Sequence, residues 1–87
     1  MSLFTVLFTR SAKKDIDKLD SITKKRLKKK LEIYSQDPLP YSKKLVNSKV
    51  GEYRWRIGNH RVVFDLDQDK KQIVVLRIRH RKEVYGR

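Results

Sequence analysis

The sequence contains no cysteine. That excludes disulfides and thiolate metal sites, and it is compatible with a cytosolic location. Histidine is scarce: His60 and His80 are the only two. With no HExxH pair, no Cys/His cluster and no carboxylate cage, a catalytic metal lacks ligands, and no metal or other cofactor is expected. There is no glycine-rich phosphate loop, and no carboxylate-histidine-serine set suggests a nucleophilic triad. Residues 1–5, MSLFT, lack the charged region and long apolar run of a signal peptide, so none is expected. No stretch approaches membrane-spanning length, so no membrane partner is expected either. Repeats and low-complexity segments are also absent. Acidic residues are few, 10 Asp and Glu against 23 Lys and Arg.

What remains is a short, polar and strongly basic chain. Its 87 residues are expected to form one small domain over 1–87 with a modest core. Hydrophobic and charged residues each make up 38%, polar for a globular chain but not disordered in pattern. A net charge of +13 predicts a polyanionic partner: nucleic acid, an anionic surface or an acidic protein. The two kinds of base are segregated. Residues 1–50 hold eleven Lys and two Arg, whereas residues 51–87 hold seven Arg and three Lys. Lysine is a flexible, hydrated point charge, and arginine a planar fork that grips phosphate through two parallel bonds. The lysines therefore suggest a field and the arginines a site.

The organising stretch is GEYRWRIGNHRVVF, residues 51–64. A Gly58-Asn59 pair between two alternating runs signals a hairpin with a two-residue loop. That loop places Ile57 opposite His60, Arg56 opposite Arg61, Trp55 opposite Val62 and Tyr53 opposite Phe64. Alternation then gathers Tyr53, Trp55, Ile57, Val62 and Phe64 on one face and Arg54, Arg56 and Arg61 on the other. Two arginines directly opposite each other repel. Either both splay into water, or the chain brings an anion to them, and the third arginine on that face favours the anion.

The remainder reads as follows. Residues 3–9 alternate as a strand, with Phe4, Val6 and Phe8 on its apolar side. Ser11 is a candidate cap for a helix over 12–19, whose stripe is Ala12, Ile16 and Leu19. Asp20 and Ser21 offer a second cap, for a helix over 22–36 that buries Leu27, Leu31 and Tyr34 and stops before Pro38. The run KKRLKKK at 24–30 lies on this helix. It is either a solvated face or a phosphate-facing patch, with Lys28 and Lys29 as candidate contacts. Residues 39–50 are expected to be irregular. The second hairpin strand continues to Asp67, and a last strand over 72–80 puts Val74, Leu76 and Ile78 on one face and Arg77, Arg79 and Arg81 on the other. The expected fold is α+β in the order β-α-α-β-β-β, an antiparallel sheet with both N-terminal helices packed on one face. The opposite face collects Arg54, Arg56, Arg61, Arg77, Arg79 and Arg81.

Few residues offer proton chemistry. His60 pairs with Ile57 on the apolar face and reads as a rim residue. His80 ends the last strand between two arginines; it is either a general base or an ordinary solvated histidine. Tyr85 stands among cations, which favour its phenolate, and it can also stack on a base or pack against the helices. Arginines with Tyr or His, and no metal, suit RNA cleavage by internal transesterification. There the 2′-hydroxyl attacks the adjacent phosphorus and the arginines stabilise the added charge.

Residues 51–64 together with RHRKEVY at 79–85, the opening strand, the AKKDIDKL helix at 12–19 and the basic second helix resemble the RelE/ParE toxin superfamily over nearly the whole chain. The resemblance implies a compact, microbial-RNase-like β-α-α-β-β-β fold. It implies a toxin of a type II toxin-antitoxin system, an mRNA interferase that cuts mRNA in the 30S A site of the ribosome without a metal. The implied partner is a cognate acidic, RelB-like antitoxin, and the implied location is the cytoplasm. By position, Arg54 and Arg56 match the paired basic residues of the first hairpin strand. Arg61 matches the phosphate-stabilising arginine after the turn, Arg81 the arginine closing the last strand, and Tyr85 the C-terminal tyrosine. Two departures stand out: Arg54 and Arg56 occupy positions where RelE-type members carry lysines, and Arg79 replaces a usual glycine. Arginine stays charged and is a poor proton acceptor, so Tyr85 or His80 would have to act as base. The alternatives are a ParE-type DNA gyrase inhibitor, which shares the fold and lacks the nuclease residues, and a non-catalytic nucleic-acid-binding module.

Overall fold

A computed structural model describes residues 4–45 and 52–80. In chain order these form β1 (Thr5–Phe8), α1 (Arg10–Asp17), α2 (Ser21–Tyr34), a single 3-10 turn (Leu39–Tyr41), β2 (Ser42–Lys44), β3 (Tyr53–Ile57), β4 (His60–Asp67) and β5 (Gln72–His80). The five strands make one sheet in the order β1-β5-β4-β3-β2. The last three strands form the expected antiparallel meander, and β1 adds to it in parallel, beside β5. The sheet is therefore mostly rather than wholly antiparallel.

The hairpin pairs as its spacing predicts: Ile57 with His60, Arg56 with Arg61, Trp55 with Val62, and Tyr53 with Phe64. Gly58 has φ +60°, the left-handed value that favours glycine at this turn. Trp55, Val62 and Phe64 are fully buried, with Ile57 nearly so. The Trp55 and Phe64 ring centroids are 4.1 Å apart, and Tyr34 of α2 reaches Trp55 at 5.5 Å. The Trp55 indole donates to the Pro38 carbonyl at 3.2 Å, so its one polar atom is satisfied inside the core. Ala12, Leu27 and Leu31 complete the cover from the helices.

Three sequence expectations need correction. First, Ser11 does not cap α1. Thr9 does, because its Oγ1 accepts from Ala12 N at 3.1 Å while donating to the Leu76 carbonyl at 2.9 Å. One hydroxyl thus caps the helix and ties it to the sheet. Asp20 does cap α2, accepting from Thr23 N at 3.0 Å. Second, the segment after Pro38 is not wholly irregular: residues 42–44 pair with β3 as the short edge strand β2. Third, the buried residues of β5 are Ile73, Val75 and Ile78, not Val74, Leu76 and Ile78.

The cause of the third is a β-bulge. Phe64 pairs with Val75 but its neighbour Val63 pairs with Arg77, leaving Leu76 as the extra residue. Alternation reverses phase there, so Ile73 and Val75 point inward before the bulge and Ile78 after it. The bulge sits where β1 ends, since Phe8 pairs with Val75 and goes no further. Beyond that point α1 replaces β1 as the neighbour of β5.

Candidate nucleic-acid interface

Because alternation is intact on β3 and β4 and resumes past the bulge on β5, the arginines converge as the sequence predicts. Arg56 pairs with Arg61, and Arg61 pairs with Arg79. Three arginines therefore stand in one row across three adjacent strands, with strands about 4.8 Å apart. A second row runs Lys43, Arg54, Val63, Arg77. Lys43 is a member that the sequence did not disclose, because its place follows only from the pairing of β2 with β3. Arg56 is exposed, while Arg54, Arg61 and Arg79 are half-buried. Among the described residues Arg54, Arg56 and Arg79 form no ion pair. Asp65 and Asp67, which could have neutralised the face, accept instead from the main-chain N–H groups of Glu52 and Lys70. Like charges in direct opposition weaken a sheet. Such a row is therefore suited to an anion that spans it, and a phosphodiester fits the guanidinium fork.

Arg77 is held differently. Its Nε and Nη2 donate to the two carboxylate oxygens of Asp15 on α1, at 2.9 and 3.1 Å, and the Ile78 main-chain N–H donates to the same carboxylate at 2.9 Å. Asp15 is 8% exposed. Burial alone raises the pKa of its carboxyl. The hydrogen bonds from Arg77 and Ile78 and the charges of Arg77 and Arg79 outweigh that, and the net shift is downward. The Arg77 fork is thus committed to the fold.

The histidines lie elsewhere. His60 and His80 are paired across β4 and β5, their rings edge to face at 5.1 Å. They share the inward phase of Ile57 and Ile78, so both lie on the helix side and His80 faces away from the arginine row. Lys28 and Lys29 are exposed on α2, also on the helix side. Lys28 borders a largely apolar groove of about 730 Å³ between β1 and α2, lined by Phe4, Val6, Phe8 and Leu31 among others. Arg81 and Tyr85 lie outside the described residues. No group of three or more His, Cys, Asp or Glu able to hold a metal occurs among the described residues. Nor is any described helix long and apolar enough to cross a membrane.

Comparison with known proteins places this arrangement. The family described as the ParE toxin of the type II toxin-antitoxin system parDE matches residues 6–85. The chain belongs to this RelE/ParE family of type II toxins. Toxin RelG of Mycobacterium tuberculosis is 31% identical over 85 residues, covering 97% of this chain and 98% of the relative. Among solved structures, a chain of the RelBE2 toxin-antitoxin complex of M. tuberculosis is similar with a TM-score of 0.78 and 29% identity, covering 90% of this chain and 98% of that one. The isolated RelE toxin of Escherichia coli gives 0.74 and 26%, covering 95% and 92%. The toxin's two helices and mostly antiparallel sheet are thus the family fold. Its carrying features, the hairpin arginines and the strand that presents Arg79, lie within the matched residues.

Proposed function

We propose that this toxin is a ribosome-dependent mRNA endonuclease of the RelE type, acting in the cytoplasm. The observation that carries the reading is the Arg56, Arg61, Arg79 row across β3, β4 and β5. In the proposed reaction the 2′-oxygen attacks the adjacent phosphorus and gives up its proton to a base. The bond from phosphorus to the 5′-oxygen breaks, and that oxygen takes up a proton. The products are a 2′,3′-cyclic phosphate and a free 5′-hydroxyl. Extra negative charge develops on the phosphoryl oxygens, where Arg61 and Arg81 would act, with Arg54, Arg56 and Arg79 binding flanking phosphates. His80 lies on the other side of the sheet, so we assign the proton acceptor to Tyr85. Lys28 and Lys29 are proposed to meet ribosomal RNA rather than the cleaved strand. The proposed controlling partner is an acidic, RelB-like antitoxin. The toxin-antitoxin complexes among the similar structures support it, and so does the apolar groove beside Lys28, which suits an amphipathic helix with acidic flanks.

The test is cleavage of ribosome-bound mRNA, read by primer extension. Arg61→Ala and Arg81→Ala should each lose ~10²–10³ in rate. Tyr85→Phe keeps the ring and tests the hydroxyl alone. Wild-type rates in all three variants would overturn the mechanism. A second reading, gyrase inhibition, is favoured by the ParE description of the matching family. It predicts a DNA-damage response with intact mRNA on induction.

A further inference from the structure

The histidine pair borders a site of its own. His60 opens β4, His80 closes β5, and both line a cavity of about 400 Å³. Two cations project into the same space, Lys18 after α1 and Arg26 from α2. Arg26 crosses to the hairpin: a Cβ placed on Gly58 would lie 3.8 Å from its Nη1. Neither Lys18 nor Arg26 forms an ion pair among the described residues. Among the described residues one carboxylate borders the cavity, Asp20; its Oδ1 accepts from Thr23 N at 3.0 Å, and the charge of Arg26 also acts on it. Among the described residues two cations and two imidazoles thus face a single carboxylate, a lining suited to an oxyanion. A guanidinium can grip a phosphate with two parallel bonds and an ammonium adds a point charge. A second cavity of about 400 Å³ also borders Lys18, His60 and His80, and it reaches Arg79. Arg79 belongs to the arginine row, so one member of the row also borders the space beside the histidines, together with the Asp15–Arg77 pair.

We propose that the Lys18, Arg26, His60, His80 pocket is a second phosphate site, and that an RNA strand lying on the arginine row delivers a neighbouring phosphodiester into it around the end of β5. The phosphate site stands without the ribonuclease reading, and the route of the RNA rests on that reading.

The imidazole resonances of His60 and His80 in the full chain report on the site during titration with inorganic phosphate at constant ionic strength. Saturable shifts are expected, retained in Arg61→Ala and weakened at least tenfold in the Lys18→Gln, Arg26→Gln double variant. Both residues are exposed, so this variant should fold. Unsaturable shifts, or shifts lost in Arg61→Ala and kept in the double variant, would overturn the site. Equal saturation by acetate would overturn the phosphate assignment in favour of an acidic protein. A 2′-O-methyl oligonucleotide, which cannot be cleaved, tests the route: the double variant should bind it several-fold more weakly than wild type. Unchanged affinity would overturn the route. Because neither measurement involves cleavage, loss of the nuclease reading would leave the phosphate titration as an independent result.

Discussion

Asp15 on α1 receives both arms of the Arg77 guanidinium and the main-chain N–H of Ile78, just where β5 loses β1 as its neighbour. The carboxylate does for the last turns of β5 what a further strand would do. It satisfies an edge amide and fixes the segment that presents Arg79 to the row.

Asp15→Ala should therefore destabilise the fold by about 2–3 kcal/mol, since it leaves a buried N–H unpaired; the Arg77 contribution is discounted because that side chain is 32% exposed. Asp15→Asn, which keeps one acceptor, should lose less. Urea unfolding at pH 7 checks both. The pH sign follows from the lowered pKa. The stabilisation from Asp15 is fully present above its unfolded-state pKa, near the ordinary 3.8, and is lost as pH falls through the lower folded value. The gap between wild type and Asp15→Asn should thus be constant from pH 7 to about 5 and should shrink below about pH 4.

Trp55→Phe tests the centre of the core. The change leaves the buried Pro38 carbonyl without its donor and opens a void beside Phe64 and Tyr34. A loss of about 2–4 kcal/mol is expected, enough to lower the melting temperature by roughly 10 °C or more in a domain of this size. Calorimetry reads it directly. A change near zero would mean that Phe is accommodated by repacking.

The hairpin was legible because everything that fixes it is local: a Gly-Asn turn with the required φ, and a period of two on either side. Its register then dictated that Arg56 meets Arg61. The strand β5 was legible in extent, and in phase only past the bulge, where Ile78 turns inward and Arg77 and Arg79 outward. The bulge at Leu76 depends on the end of β1 and on Thr9 and Asp15, residues more than sixty positions away. For the same reason the partner of Arg77 was hidden, as no short spacing links it to Asp15. The strand β2 carries two lysines and follows two prolines, so only its pairing with β3 gives it away. The side of His80 follows from the same alternation that turns Ile78 inward, whereas its pairing with His60 depends on the register between β4 and β5.

Arg56→Thr should raise stability and weaken RNA binding together. Threonine suits a strand, and the change removes a charge directly opposite Arg61. A gain of about 0.5 kcal/mol in urea unfolding is expected, alongside lower affinity for single-stranded RNA. Opposite signs for the two effects are the signature of a row kept for binding at a cost to the sheet. A loss of stability would show that Arg56 contributes to the fold after all.

Salt dependence separates the row from the lysines of α2. Binding to single-stranded RNA releases about 0.7 counterion per phosphate neutralised, so the slope of log affinity against log salt counts contacts. If each row arginine meets a phosphate, Arg56→Ala, Arg61→Ala and Arg79→Ala should each flatten the slope by about 0.7. Lys28 and Lys29 project from the helix side of the sheet, away from the row. The pair Lys28→Ala, Lys29→Ala should leave the slope for a short mRNA oligonucleotide unchanged, yet flatten it for intact ribosomes, whose RNA can embrace both faces. Fluorescence anisotropy for the oligonucleotide and sedimentation for ribosomes, each over a salt series, supply the comparison. A slope altered by the lysines on the oligonucleotide alone would place the substrate strand on α2 and remove the row from the binding path.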